Sequence, residues 1–198
     1  MRASYRLRLA APALVLILAA GSPALAHTGG VLGGFANGFV HPLLGLDHVV
    51  AMVAVGLWGA FLGVPAIWVL PIVFPLIMAV GGALGILDLP LPAAEIGIAA
   101  SAVVLGAMVA LAARPALWIA AVLVGAFAVF HGYAHGAELP PGTDATAYSV
   151  GFVVATGLLH LAGIAFGLAT RWPAGRFAVR AAGLAIAGVG VVALSAMA

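Results

Sequence analysis

The chain has no cysteine and no lysine among its 198 residues, and only 6% of them carry charge. Without cysteine there are no disulfides, no thiolate metal sites and no cysteine nucleophile. Without lysine, all seven basic residues are arginine. No GxxxxGK[ST] phosphate loop occurs, so nothing suggests that nucleotide hydrolysis drives this protein. So little charge also excludes an ordinary water-facing surface. With 66% hydrophobic residues and a mean hydropathy of +1.30, the composition is that of an integral membrane protein. Its long apolar runs are those of helices, so the expected fold class is all-α.

The sequence pI of about 9.7 invites a nucleic-acid partner, but the distribution of charge argues against one. Arg2, Arg6 and Arg8 stand together at the N-terminus, ahead of "LAAPALVLILAAG", and "ALA" follows at Ala24 to Ala26. A basic start, an apolar core shorter than the roughly 20 residues of a membrane crossing, and a small-residue cleavage site make up a secretory signal peptide. Residues 1–26 are therefore read as a signal peptide and 27–198 as one membrane domain, with His27 as its first residue. The remaining four arginines against five acids leave a net charge of −1 with histidine neutral.

Proline and glycine punctuate this domain into six apolar segments of crossing length, at about 43–63, 66–87, 93–113, 116–135, 147–170 and 177–197. A translocated N-terminus puts Arg114, Arg171, Arg176 and Arg180 on the cytoplasmic side. Asp88, Glu95, Glu138 and Asp144 then fall on or near the outer side, and Asp47 alone lies well within a span. The expected location is the bacterial inner membrane, with the lipid bilayer as the protein's surroundings. Ahead of the first span, "HTGGVLGGFANGFVHP" suggests a short re-entrant segment, with Pro42 placed to begin the first full helix. "FVHP" in the first span and "VFHG" in the fourth hint at a three-plus-three repeat. Tyr133, Tyr148, Trp58, Trp68, Trp118 and Trp172 read as interface anchors or packing residues.

The polar residues inside the apolar segments carry the chemistry. "HPLLGLDHVVAM" places His41, Asp47 and His48 within eight residues, and a helix extended back through Pro42 would align the two imidazoles two turns apart. "HGYAH" sets His131 and His135 four residues apart on one helical face, which Glu138 continues. His160 lies one turn beyond Thr156, near or slightly past the midplane. Alone, it fits a helix-helix hydrogen bond equally well. Imidazole and carboxylate suit a borderline divalent cation, and a carboxylate beside an imidazole also orients it. An unpaired Asp47 would cost about 2.5 to 3.5 kcal/mol at the membrane centre. A cation is its natural counter-charge, and His27 would add an amino nitrogen and an imidazole at the entrance.

The segments "HPLLGLDHVVAMVAVGLWG", "FHGYAHGAE" and "ATGLLHLAGIAFG", in this order after a signal peptide, resemble the HupE/UreJ family of nickel and cobalt permeases. The likeness covers essentially the whole domain. It implies secondary uptake of Ni²⁺ or Co²⁺ for metalloenzymes, with no prosthetic group. It also implies that His41, Asp47, His48, His131, His135 and Glu138 are the motif ligands, with His160 a further match. The larger nickel/cobalt transporter family carries a related signature with four residues between its His and its Asp-His. Here there are five between His41 and Asp47, which favours HupE/UreJ. Two other readings use the same residues: an intramembrane Zn²⁺-dependent hydrolase, which lacks an HExxH motif, and a b-type haem carrier with His48 and His131 as axial ligands.

Overall fold

The computed structural model describes residues 31–198, and these form seven α-helices with no strand. The expected signal peptide and His27 lie outside the described residues. The helices are α1 Val31–Leu44, α2 Leu46–Leu62, α3 Ala66–Ile86, α4 Ala94–Ala110, α5 Leu117–Ala137, α6 Ala145–Gly167 and α7 Pro173–Ser195; a 3₁₀ turn, Leu168–Arg171, follows α6. The ends follow local chemistry. Gly63, with φ of 85°, caps α2, Asp144 accepts a hydrogen bond from the Ala147 amide at the start of α6, and Pro173 opens α7.

Four helices, α3, α5, α6 with its 3₁₀ turn, and α7, are long and apolar enough to cross a bilayer. A fifth crossing results if α1 and α2, bent by 82°, form one span. Helix α4 is apolar but has 17 residues, about 26 Å at 1.5 Å per residue. Ile72, Leu76, Val122, Leu158, Leu184 and Val192 turn outward, fully half exposed or more. In water such an outer face would be costly; against lipid it is at home. The chain is a multi-pass membrane protein.

Pro42 does not begin a helix. It lies inside α1, and the break falls at Gly45, an extended residue with φ −84° and ψ 111°. Pro42 lacks an amide hydrogen, which weakens the last turn of α1, and glycine takes the extended conformation at small cost. From Val31 on, the glycine-rich stretch ahead of it is itself helical, and glycines on both helices let α1 lie against α6: a Cβ on Gly38 would collide with the Tyr148 backbone, and one on Gly151 with Phe35.

A three-plus-three repeat is present, in a different register from "FVHP" and "VFHG". Gly81 of α3 packs on the Val129 carbonyl of α5, and Gly163 of α6 packs on the Val53 carbonyl of α2. Gly132 meets the Met78 carbonyl just as Gly56 meets the His160 carbonyl. The last helices complete the relation: Gly106 meets Ala187 and Gly183, and Gly190 meets Val103 and Ala99. In these glycine contacts α2, α3 and α4 match α5, α6 and α7, with Met78 in the place of His160. The second set runs in the opposite direction, the topology of an inverted repeat.

The charges divide between the two ends of the bundle. At one end Arg114 lies over the Phe61 ring, 4.6 Å from its centre, and Arg180 Nε donates to the Ala110 carbonyl at 2.7 Å. Trp68, Trp118 and Trp172 are exposed there, as anchors should be. Trp58 is fully buried and donates to the Ala113 carbonyl at 3.0 Å, so it packs rather than anchors. Glu95, Glu138 and Asp144 stand at the opposite end, where α4 and α6 begin and α5 stops.

Candidate metal centre

The break at Gly45 delivers Asp47 and His48 to the first turn of α2. There one Asp47 carboxylate oxygen accepts from both the His48 amide and His48 Nδ1, each at 2.9 Å. Since Nδ1 carries the proton, Nε2 holds the lone pair; it is buried and has no hydrogen-bond partner among the described residues. The carboxylate thereby both supplies charge and aims the imidazole.

His131, on α5, reaches the same state through a residue that sequence reasoning missed. Ser101 of α4 donates its only hydroxyl proton to the Ile98 carbonyl at 2.6 Å, and its Oγ stands 2.9 Å from His131 Nε2. With that proton committed, Oγ can only accept, so Nε2 of His131 carries the hydrogen and Nδ1 is bare. His131 Nδ1 is likewise buried without a partner among the described residues. Serine, histidine and carbonyl are all inside the bundle. A lone serine in "GIAASAVVLG" gives no periodic signal, which is why it passed as packing.

These histidines converge. The ring of His48 lies 4.8 Å from that of His131 and 4.4 Å from that of His135. His135, one helical turn after His131, is 6% exposed and also 4.7 Å from His41. His41 and His48 are therefore not stacked along one helix as the extended-helix reading expected; they sit on α1 and α2 and meet through His135. Further out, His41, His135 and Glu138 each offer a ligand atom within 4.8 Å of the others, with His41 Nε2 3.8 Å from a Glu138 oxygen. A cavity of about 200 Å³ between α3, α5 and α6 reaches His135, past Leu139, Tyr148 and Phe152. Tyr148 is thus no interface anchor: it is buried, and its ring lies 6.0 Å from that of His41.

His160 stands apart. It is 1% exposed, neither of its ring nitrogens has a partner among the described residues, and its ring neighbour is Phe74 at 5.5 Å. Across the helix interface its ring faces the Pro71 backbone of α3, so a helix-helix hydrogen bond is within its reach. A porphyrin does not fit the haem reading, because the His48 and His131 rings are too close for its plane to pass between them.

The profile of the family described as HupE / UreJ protein matches residues 14–193. The chain belongs to the HupE/UreJ family. Among its relatives, Protein HupE of Rhizobium leguminosarum bv. viciae is 44% identical over 177 residues, 89% of this chain and 93% of that protein. No solved structure matches it. For this HupE/UreJ chain, the residues that carried the resemblance come to one end of the bundle, His160 lies deeper, and His27 falls outside the described residues.

Proposed function

We propose that the protein is a secondary uptake permease for Ni²⁺ and/or Co²⁺, relaying the ion inward through histidine, aspartate and glutamate ligands. Membership of the HupE/UreJ family supports a transporter over an enzyme. The observation that carries the reading is the pair of bare nitrogens, His48 Nε2 and His131 Nδ1, each held by a hydrogen bond to the opposite side of its ring. A lone pair without a partner in a buried site is costly unless something accepts it, and a borderline divalent cation does so.

In this reading the bent pair α1 and α2 makes one crossing and short α4 another, giving six. The arginine end faces the cytoplasm and the acidic end the periplasm, in the bacterial inner membrane, with residues 1–26 removed as a signal peptide. Glu138, His41, His135 and His27 capture the ion; Asp47, His48 and His131 replace part of its water shell; His160 receives it next. The ligands are spread over several stops rather than closed into one four-ligand cage, which keeps exchange easy. The membrane potential favours inward movement of a double charge by about 4.6 kcal/mol at 100 mV.

The test is accumulation of ⁶³Ni²⁺ and ⁵⁷Co²⁺ in metal-starved cells expressing this chain or His48→Ala in equal amount. Uptake by the parent that the variant loses supports the proposal. No uptake of either ion by well-expressed parent overturns it.

A further inference from the structure

We propose that Phe74 is the barrier between the outer histidines and His160, and that passage requires α3 to yield at the prolines on either side of it. The role of the barrier rests on the permease reading, whereas its existence rests on geometry alone. The Phe74 ring is fully buried, 5.6 Å from the His131 ring and 5.5 Å from the His160 ring. Depth agrees with contact. Counted from the acidic end of each helix at about 1.5 Å per residue, His131 lies about 9 Å in from the end of α5, Phe74 about 18 Å in on α3, and His160 about 22 Å in on α6.

A benzene ring offers no lone pair to a dehydrated cation, so an apolar constriction between two sets of ligands stops an ion unless the ring moves. Helix α3 is weakened where that movement is needed. Pro71 and Pro75 both lie inside it, and neither has an amide hydrogen, so the carbonyls of Ile67 and Pro71 lose their helical donors.

The inverted repeat supports the same assignment. In the register that matches Met78 with His160, Phe74 occupies the place of Thr156. Two equivalent helices are furnished oppositely: α6 carries Thr156 and His160, polar side chains buried in the bundle, and α3 carries Phe74 and Met78. In inverted-repeat transporters the two halves rock against each other around a central site. Here α3 of one half supplies the plug and α6 of the other the ligand behind it.

The absence of cysteine makes a clean test possible. His160→Cys places the chain's only thiol directly behind Phe74, and a charged, membrane-impermeant methanethiosulfonate is added to the periplasmic face of intact spheroplasts. Labelling after denaturation confirms that the thiol is present. The thiol should react slowly behind Phe74 and about tenfold faster or more with Phe74→Ala added, as expected on opening an apolar constriction. Phe74→Leu, which leaves the core better filled, should be intermediate, and it decides the matter where Phe74→Ala fails to fold. Fast reaction with Phe74 in place, or no acceleration in either variant, overturns the barrier. Nickel uptake by the unmodified chain is measured alongside: its absence would sink the permease reading and leave the labelling comparison to judge Phe74 by itself.

Discussion

Ser101→Ala should impair uptake through His131 without touching the ion. The serine hydroxyl is fully buried and accepts from His131 Nε2 because its own proton is committed to Ile98. Alanine leaves that N–H without an acceptor, at a cost of about 1 to 3 kcal/mol. The ring can escape the cost by moving its proton to Nδ1, the nitrogen proposed to meet the metal. Either way, binding at His131 is weakened by about 1 to 3 kcal/mol, and at 1.4 kcal/mol per factor of ten this is roughly 5- to 150-fold. Loss of a partner that orients a metal-binding histidine ordinarily costs about 10- to 100-fold. The assay is the concentration dependence of initial ⁶³Ni²⁺ uptake at matched expression, with KM expected to rise by about tenfold or more. Ser101→Thr keeps the hydroxyl and should recover most of the loss. In a His131→Ala background Ser101→Ala should add little, because the group it positions is gone. Unchanged KM in Ser101→Ala, or a full additional effect in the His131→Ala background, would refute the tautomer argument.

Three further outcomes are expected. Asp47→Asn should lower uptake by about tenfold or more, since it removes the charge and leaves only a weaker amide oxygen to aim His48; melting of the metal-free protein in detergent should change little, because the Asp47 side chain is partly exposed. Uptake should fall as the external medium is acidified, because protons and metal compete for the same lone pairs; an initial rate that rises between pH 7.5 and pH 5 would count against imidazole ligation. Gly132→Ala should destabilise the bundle by about 1 to 3 kcal/mol, because the new Cβ meets the Met78 carbonyl, whereas Gly157→Ala, with nothing within 4 Å, should be neutral or slightly stabilising in the same melting assay.

The sequence by itself determined the class of the protein and most of its polar inventory. Hydropathy is a property of each segment alone, and six apolar runs separated by proline and glycine mark where helices α2 to α7 lie. The Asp47 and His48 bond was legible for a similar reason, since adjacent residues meet in any fold. The place of the break was not: Pro42 is a common helix opener, and only the packing of α1 on α6 shows that the chain stays helical through it and turns at Gly45. The repeat register was hidden because it resides in which glycine meets which carbonyl, and few side chains match between the halves.

Only the tertiary structure decided which nitrogens are bare. The proton on His131 is assigned by Ser101, 30 residues away in the chain and on another helix, and a tautomer leaves no trace in composition or periodicity. The same holds for Phe74. As one of two aromatic residues in an apolar helix it carries no signal, and its place between His131 and His160 follows from three helices packed at related depths. Burial in lipid is dictated locally by each segment's side chains, whereas a path for an ion is made by the groups that different segments turn toward one another.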